Sequence, residues 1–158
     1  MKNIMIRLIE EKDIDDISLL LKEVNYVHYI GRPDLFKENN KYTKEELANM
    51  VNDKLNPIFV YETDGKVVGH AFCITKEVKN DNLLQDNKTL YIDDICVLST
   101  YRNKGIASKL YEYVRDFAKN NGYYNITLNV WEINPGAKAF YEKMGLKPQK
   151  VTMEEILG

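Results

Sequence analysis

Residues 90–111 read LYIDDICVLSTYRNKGIASKLY, and the rest of the chain is arranged around them. The stretch opens as a strand, because Tyr91, Ile92, Ile95, Cys96 and Val97 favour β structure. Asp93 and Asp94 interrupt it. Neighbours on a regular strand point to opposite faces, so the two carboxylates are expected on different sides of the sheet. A turn follows. A helix then begins, with apolar residues at Ile106, Leu110, Val114 and Phe117, spaced four, four and three apart. Where strand gives way to helix the chain carries a glycine, Gly105. A glycine-bearing turn at a helix start leaves backbone N–H donors free, with the positive end of the helix dipole behind them. That arrangement suits a phosphate.

Upstream of this unit, 5–9 is expected as a first strand. Asp13 is placed to cap a helix over 14–24, whose apolar face is Ile14, Ile17, Leu20, Leu21 and Val24. Residues 25–41 show no clear period and read as a loop with at most a turn of helix. Thr43 and Glu46 match a capping box, so a second helix should start there with Leu47, Met50, Val51 and Leu55 on its apolar face. Strands are expected over 58–63 and 66–76, joined by a hairpin turn at Asp64-Gly65. Residues 79–88 are polar and read as an exposed loop. Downstream, Asn121-Gly122 ends the central helix. Residues 125–131 alternate, with Ile126, Leu128 and Val130 on one face, as a half-buried strand does. Asn134 and Pro135 open a short helix that Gly145 ends. Residues 147–157 are expected to contain a last strand.

The chain has 158 residues, enough for one domain with a real core, and one domain over 1–158 is expected. Hydrophobic residues are 44% and charged residues 29%, as in an ordinary globular protein. A net charge of −2 gives no electrostatic reason to expect a nucleic acid partner. Cys73 and Cys96 fall inside expected strands and read as buried free thiols of a reducing compartment. No Cys/His cluster has zinc spacing, so no metal is expected. No stretch resembles a signal peptide or a membrane span, and a cytoplasmic location is expected.

Arg102-x-x-Gly105-x-Ala107 resembles the acyl-CoA signature of the GNAT acetyltransferases, Gln/Arg-x-x-Gly-x-Gly/Ala. Asn134-x-x-Ala137-x-x-x-Tyr141-x-x-x-Gly145-Leu146 is similar to a second segment of that family, with Leu146 in the place of Phe. The resemblance implies an α/β fold of the GNAT type: a central mixed, mostly antiparallel sheet flanked by helices. It implies an N-acetyltransferase that moves the acetyl group of acetyl-CoA to a primary amine of a small molecule or peptide by direct attack. The alternative is a sensor that binds acyl-CoA without catalysis.

By the same resemblance, the cofactor would meet the backbone of Asn103, Lys104, Gly105, Ile106 and Ala107, the charges of Arg102 and Lys104, and the Ser108 hydroxyl. Ile95, Cys96 and Val97 would run beside its pantetheine as a paired strand does. Asn134, with Ala137, is either a cofactor contact or a helix cap, or both. Tyr141 is the expected proton donor to the leaving thiolate. Asp93 is favoured as base or water-orienting group, and Asp94 as substrate contact or structural hydrogen-bonder. The acceptor is expected against 25–41, with Tyr26, His28, Tyr29, Asp34 and Phe36 as candidates. Trp131 either walls the pocket or packs, and His70 reads as structural. Homodimer formation through an edge strand in 147–157 is expected from similar proteins and from the alternation of Val151 and Met153.

Overall fold

The computed structural model describes residues 3–158. Five strands make one sheet: β1 (Ile4–Leu8), β2 (Ile58–Thr63), β3 (Lys66–Val78), β4 (Asn87–Val97) and β5 (Asn125–Leu128), in the order β1-β2-β3-β4-β5. Neighbours pair antiparallel except β4 and β5, which are parallel. Four helices cover the sheet: α1 (Ile14–Gly31), α2 (Lys44–Met50), α3 (Ile106–Asn120) and α4 (Pro135–Lys143). One core lies between the sheet and α1 with α2, built on Ile17, Leu20, Leu21, Leu47, Val60 and Phe72. The other lies under α3, where Tyr111, Val114 and Ala118 meet Phe59, Ala71, Leu90 and Ile92.

The sheet has one irregularity that matters. Phe72 pairs with Asp94, but Cys73 pairs with Ile92, so Asp93 is an extra residue with no partner on β3. Such a bulge breaks the strict alternation of a strand. Before it, Leu90 and Ile92 face α3. After it, Val97 faces α3 with Ile106 and Leu110, while Cys96 joins the α1 side. The bulge also ends the β4–β5 ladder, which covers only Thr89 to Ile92 on β4. Beyond it the two strands part, and β4 residues 93–97 run without a partner on that edge among the described residues.

Most local signals act as expected. The Thr43–Glu46 capping box is reciprocal, with Thr43 Oγ1 accepting from Glu46 N at 3.1 Å and Glu46 Oε1 accepting from Thr43 N at 3.0 Å. Asp64 and Gly65 both take positive φ, 50° and 79°, as the two-residue hairpin requires. Both thiols are free and buried.

Five expectations are corrected. First, α1 continues to Gly31, because no breaker precedes Pro33 and Val24 packs on the same core as the first turns. The expected loop therefore starts with seven helical residues. Second, Asp13 does not cap α1 with its side chain. Its carboxylate accepts from Arg7 at 2.7 and 3.0 Å and from Glu10 N at 2.8 Å. Third, α2 ends at Met50, and Leu55 is exposed. Fourth, β5 stops at Leu128 rather than Trp131, since its partner strand departs at the bulge. Fifth, 147–157 forms no strand. Pro148 lacks a ladder donor, and the segment is exposed, tied back by Arg32 to Glu154 at 2.9 and 3.2 Å.

Candidate active site

The turn before α3 is held in shape by two left-handed residues, Asn103 (φ 64°) and Gly105 (φ 77°). Gly105 is the N-cap of α3 and offers no side chain to the helix donors. Among the described residues, no protein acceptor takes the N–H groups of 103–108. A Cβ built on Gly105 meets nothing within 4 Å, so the space above the turn is open. Arg102 and Lys104 are exposed beside it. Arg102 donates through Nε to the Val97 carbonyl at 3.3 Å, and Lys104 lies over the Tyr101 ring at 5.1 Å. Ser108 is half-buried in the first turn of α3. Free donors, open space and two cations make a cradle that fits a pyrophosphate.

The unpaired edge of β4 leads away from this cradle. Ile95 and Val97 lie on it, their side chains packed toward α3. Cys96 presents only its backbone there. Its thiol is buried against α1, donating to the Leu20 carbonyl at 3.5 Å, and burial holds it well above the usual thiol range. Asn134 caps α4, accepting from Ala137 N at 3.1 Å, which uses the side chain within the helix start.

Tyr141 is half-buried on α4, with its ring edge-on to Tyr111 at 6.5 Å and to Phe140 at 5.1 Å. Burial pushes its phenol well above the ordinary tyrosine range, and the charges of Asp94, Tyr111 and Cys96 push the same way. The group therefore keeps its proton at neutral pH and lies within electrostatic reach of Asp94.

The two carboxylates do not lie on opposite faces, which corrects the expectation from regular strand geometry. The bulge turns both toward α1 and α2. Asp93 pairs with Lys41 Nζ at 2.5 Å, and Asp94 Oδ2 accepts from His70 Nε2 at 2.8 Å. Tyr42, next to Lys41, stacks on Phe72, the ladder partner of Asp94, at 5.8 Å. His70 is fully buried, and its Nδ1 has no partner among the described residues.

The acceptor candidates divide. His28 stacks on Phe36 at 5.1 Å, and Phe36 meets Trp131 edge-on at 5.2 Å, so these three form one wall. Burial lowers the His28 pKa; Asp94 pulls it up and Lys41 pushes it down, and the net shift is downward. His28 is thus neutral at pH 7 and feels the charges of Asp94 and Lys41. Tyr29 is not part of it; its ring lies 6.5 Å from that of Tyr26, tilted by 45°. Tyr26 lies two residues from His28, about 200° round the helix, and is exposed, so α1 turns it out of the wall. Asp34 is committed to Arg32 at 2.8 and 2.9 Å, in a surface pair.

Lys41 and Tyr42 have no sequence signal that separates them from the chain's other lysines and tyrosines. His70 carries one: a lone histidine in the apolar run 67–73 of β3.

A parallel strand pair that parts beside a donor-rich helix start is the arrangement that the acyl-CoA resemblance leads one to expect of an acyltransferase. The particular family follows from comparison. Residues 24–146 match the model of the Acetyltransferase (GNAT) family, and the chain belongs to that family, whose members use acetyl-CoA. An uncharacterized N-acetyltransferase of Methanocaldococcus jannaschii is 25% identical over 150 residues, which cover 95% of this chain. The match spans only 63% of that relative. A glucosamine 6-phosphate N-acetyltransferase of Arabidopsis thaliana is 27% identical over 111 residues, 70% of each chain. Among solved structures, a point variant of the BH1408 protein from Bacillus halodurans superposes with a TM-score of 0.93 at 28% identity, covering 97% of this chain and 99% of that one.

Proposed function

We propose that this chain is an N-acetyltransferase that moves the acetyl group of acetyl-CoA to a primary amine of a small molecule or peptide by direct attack. Acetyl-CoA, when bound, supplies the acetyl group as an activated thioester. One observation carries the reading: the edge of β4 that bears Asp93 and Asp94 loses its partner beside the free N–H donors of 103–108.

The chain's own groups have three tasks. The 103–108 donors with Arg102 and Lys104 hold the pyrophosphate. An alkylammonium has a pKa of about 10.4 and is charged at neutral pH, so a proton must leave before the nitrogen can attack. We assign that proton to Asp94, directly or through water, and ammonium binding to Asp93. This exchanges the roles expected from the sequence. The reason is that Asp93 already holds an ammonium, that of Lys41, while the charge of Asp94 acts on the Tyr141 phenol. Tyr141 keeps a proton at its phenol oxygen for the departing thiol.

The test is thiol release from acetyl-CoA with a panel of amines, comparing wild type with Asp94→Asn. Amine-dependent release that the variant loses supports transfer. Tight CoA binding with no release to any amine would leave the sensor reading instead.

Two further readings concern the protein's setting. The exposed Val151, Met153, Ile156 and Leu157, together with the outer edge of β5, free among the described residues, favour a homodimer in which the terminal segment pairs with a second copy. Two buried free thiols fit a reducing compartment, and we read the protein as cytoplasmic. Among the described residues no helix is long and apolar enough to cross a membrane.

A further inference from the structure

Behind Asp93 the chain holds a pocket of about 210 Å³ between α2 and the sheet. Its walls are Met50, Ile58, Phe72 and Ile74, with Tyr42 and Asp93 also lining it. None of this was among the acceptor candidates in 25–41. Asp53 also lines the pocket, but its two oxygens already accept from Leu55 N at 3.1 Å and Asn56 Nδ2 at 2.8 Å. Asp93 is thus the pocket's one carboxylate with no backbone or amide partner, and Met50, Ile58, Phe72, Cys73 and Ile74 make its apolar walls.

That carboxylate is engaged by the chain itself. The Lys41 side chain is an alkylammonium, and its Nζ sits 2.5 Å from Asp93 and 5.7 Å from the Tyr42 ring centroid. A carboxylate with an aromatic face beside it is a fitting seat for a primary ammonium. The Asp93 side chain is 13% exposed and that of Lys41 43%, so the lysine comes in from solvent and can leave toward it.

We propose that this pocket takes the hydrocarbon arm of the acceptor, a primary amine on an unbranched aliphatic chain, with its ammonium on Asp93 where Lys41 Nζ now sits. Lys41 is then a tethered competitor that the acceptor displaces. The proposal rests on the transferase reading for which nitrogen reacts, but binding can be measured without turnover.

The experiment is calorimetric titration of the full chain, in saturating CoA, with n-alkylamines from ethylamine to hexylamine. In wild type each added methylene should tighten binding about threefold to fourfold until the pocket is full. Lys41→Met should tighten every amine by a similar factor, about fivefold, and leave the dependence on length unchanged. Met50→Trp should flatten the length dependence and spare ethylamine. Ile74→Trp fills the same pocket from the sheet side and serves if the first variant does not fold. Affinity independent of arm length in wild type, an unchanged slope in a folded pocket-filling variant, or weaker amine binding by Lys41→Met would overturn the proposal. Length-dependent binding without any acetyl transfer would keep the pocket and sink the transferase reading. Acetyl transfer indifferent to arm length would do the reverse.

Discussion

The two halves of the site are built from different material. The half at the start of α3 is made of backbone: donors at 103–108, fixed by two left-handed residues and a helix axis. The half at the β4 bulge is made of side chains drawn from four places: Lys41 and Tyr42 before α2, His70 on β3, the acidic pair on β4, and Tyr141 on α4. A backbone site depends on conformation and tolerates changes of most side chains. A side-chain site depends on identity, and each member can be removed alone. On the function proposed above, the first half is a general anion holder and the second sets specificity.

The largest expected effect attacks the backbone half. Gly105→Val puts a β-branched residue at φ 77° and a bulky group into the open space above the turn. CoA affinity should fall by at least about 100-fold, with a stability loss on the order of 1–3 kcal/mol from backbone strain. Calorimetric titration and thermal unfolding measure the two separately. Unchanged CoA affinity in a folded variant would show that the turn is not where the cofactor sits.

Next come two changes in the side-chain half, which should leave CoA binding nearly untouched. Asp94→Asn removes the proton acceptor and should lower kcat by roughly 10²- to 10³-fold, near the range of general-base effects. It also strips charge from the His70 contact, so its unfolding curve should be recorded alongside. Tyr141→Phe removes only a hydroxyl. A CoA-type thiol is moderately acidic, about 8.5 if it resembles cysteine, so it leaves partly unaided. A loss of about 10²-fold in kcat is expected, confined to the chemical step. Wild-type single-turnover rates in Tyr141→Phe would reduce this residue to packing.

The smallest effect is one of pH. Burial and Lys41 depress the His28 pKa below its unfolded value near 6.5, despite the pull of Asp94. The unfolded chain therefore takes up this proton first as pH falls. The His28 contribution to stability is fully present above the unfolded pKa and is lost as pH drops through it toward the folded value. His28→Gln should remove that part of the slope in a denaturation series from pH 7 to 5. An unchanged slope would mean that the ring is not held neutral by its surroundings.

The same contrast explains what could be read from sequence. The backbone half was legible because glycine, a following amphipathic period and a preceding β run are local signals, and 106–120 forms the expected helix. Asn134, Pro135 and the capping box at Thr43 were legible for the same reason. The side-chain half was not, because a bulge comes from pairing with another strand. Nothing in Asp93-Asp94 itself reveals that Phe72 and Cys73 skip a partner. The strict two-residue alternation thus assigned the carboxylates to opposite faces, and Lys41, which meets Asp93 from 52 residues away, left no trace in the pattern. The α1 boundary could have been found. Val24, His28 and Gly31 continue the helical spacing, and Pro33 is the first breaker, but the aromatic residues between them obscured it.

The most direct test of the division is a backbone amide NMR titration of the full chain, first with CoA and then with n-butylamine. The account predicts that CoA shifts the amides of 103–108, Gly105 to Ala107 most, because they donate to its phosphates. Butylamine should leave these in place and move Lys41, Tyr42 and Asp93. CoA binding that leaves the 103–108 amides unmoved, or butylamine shifts centred on them, would contradict it.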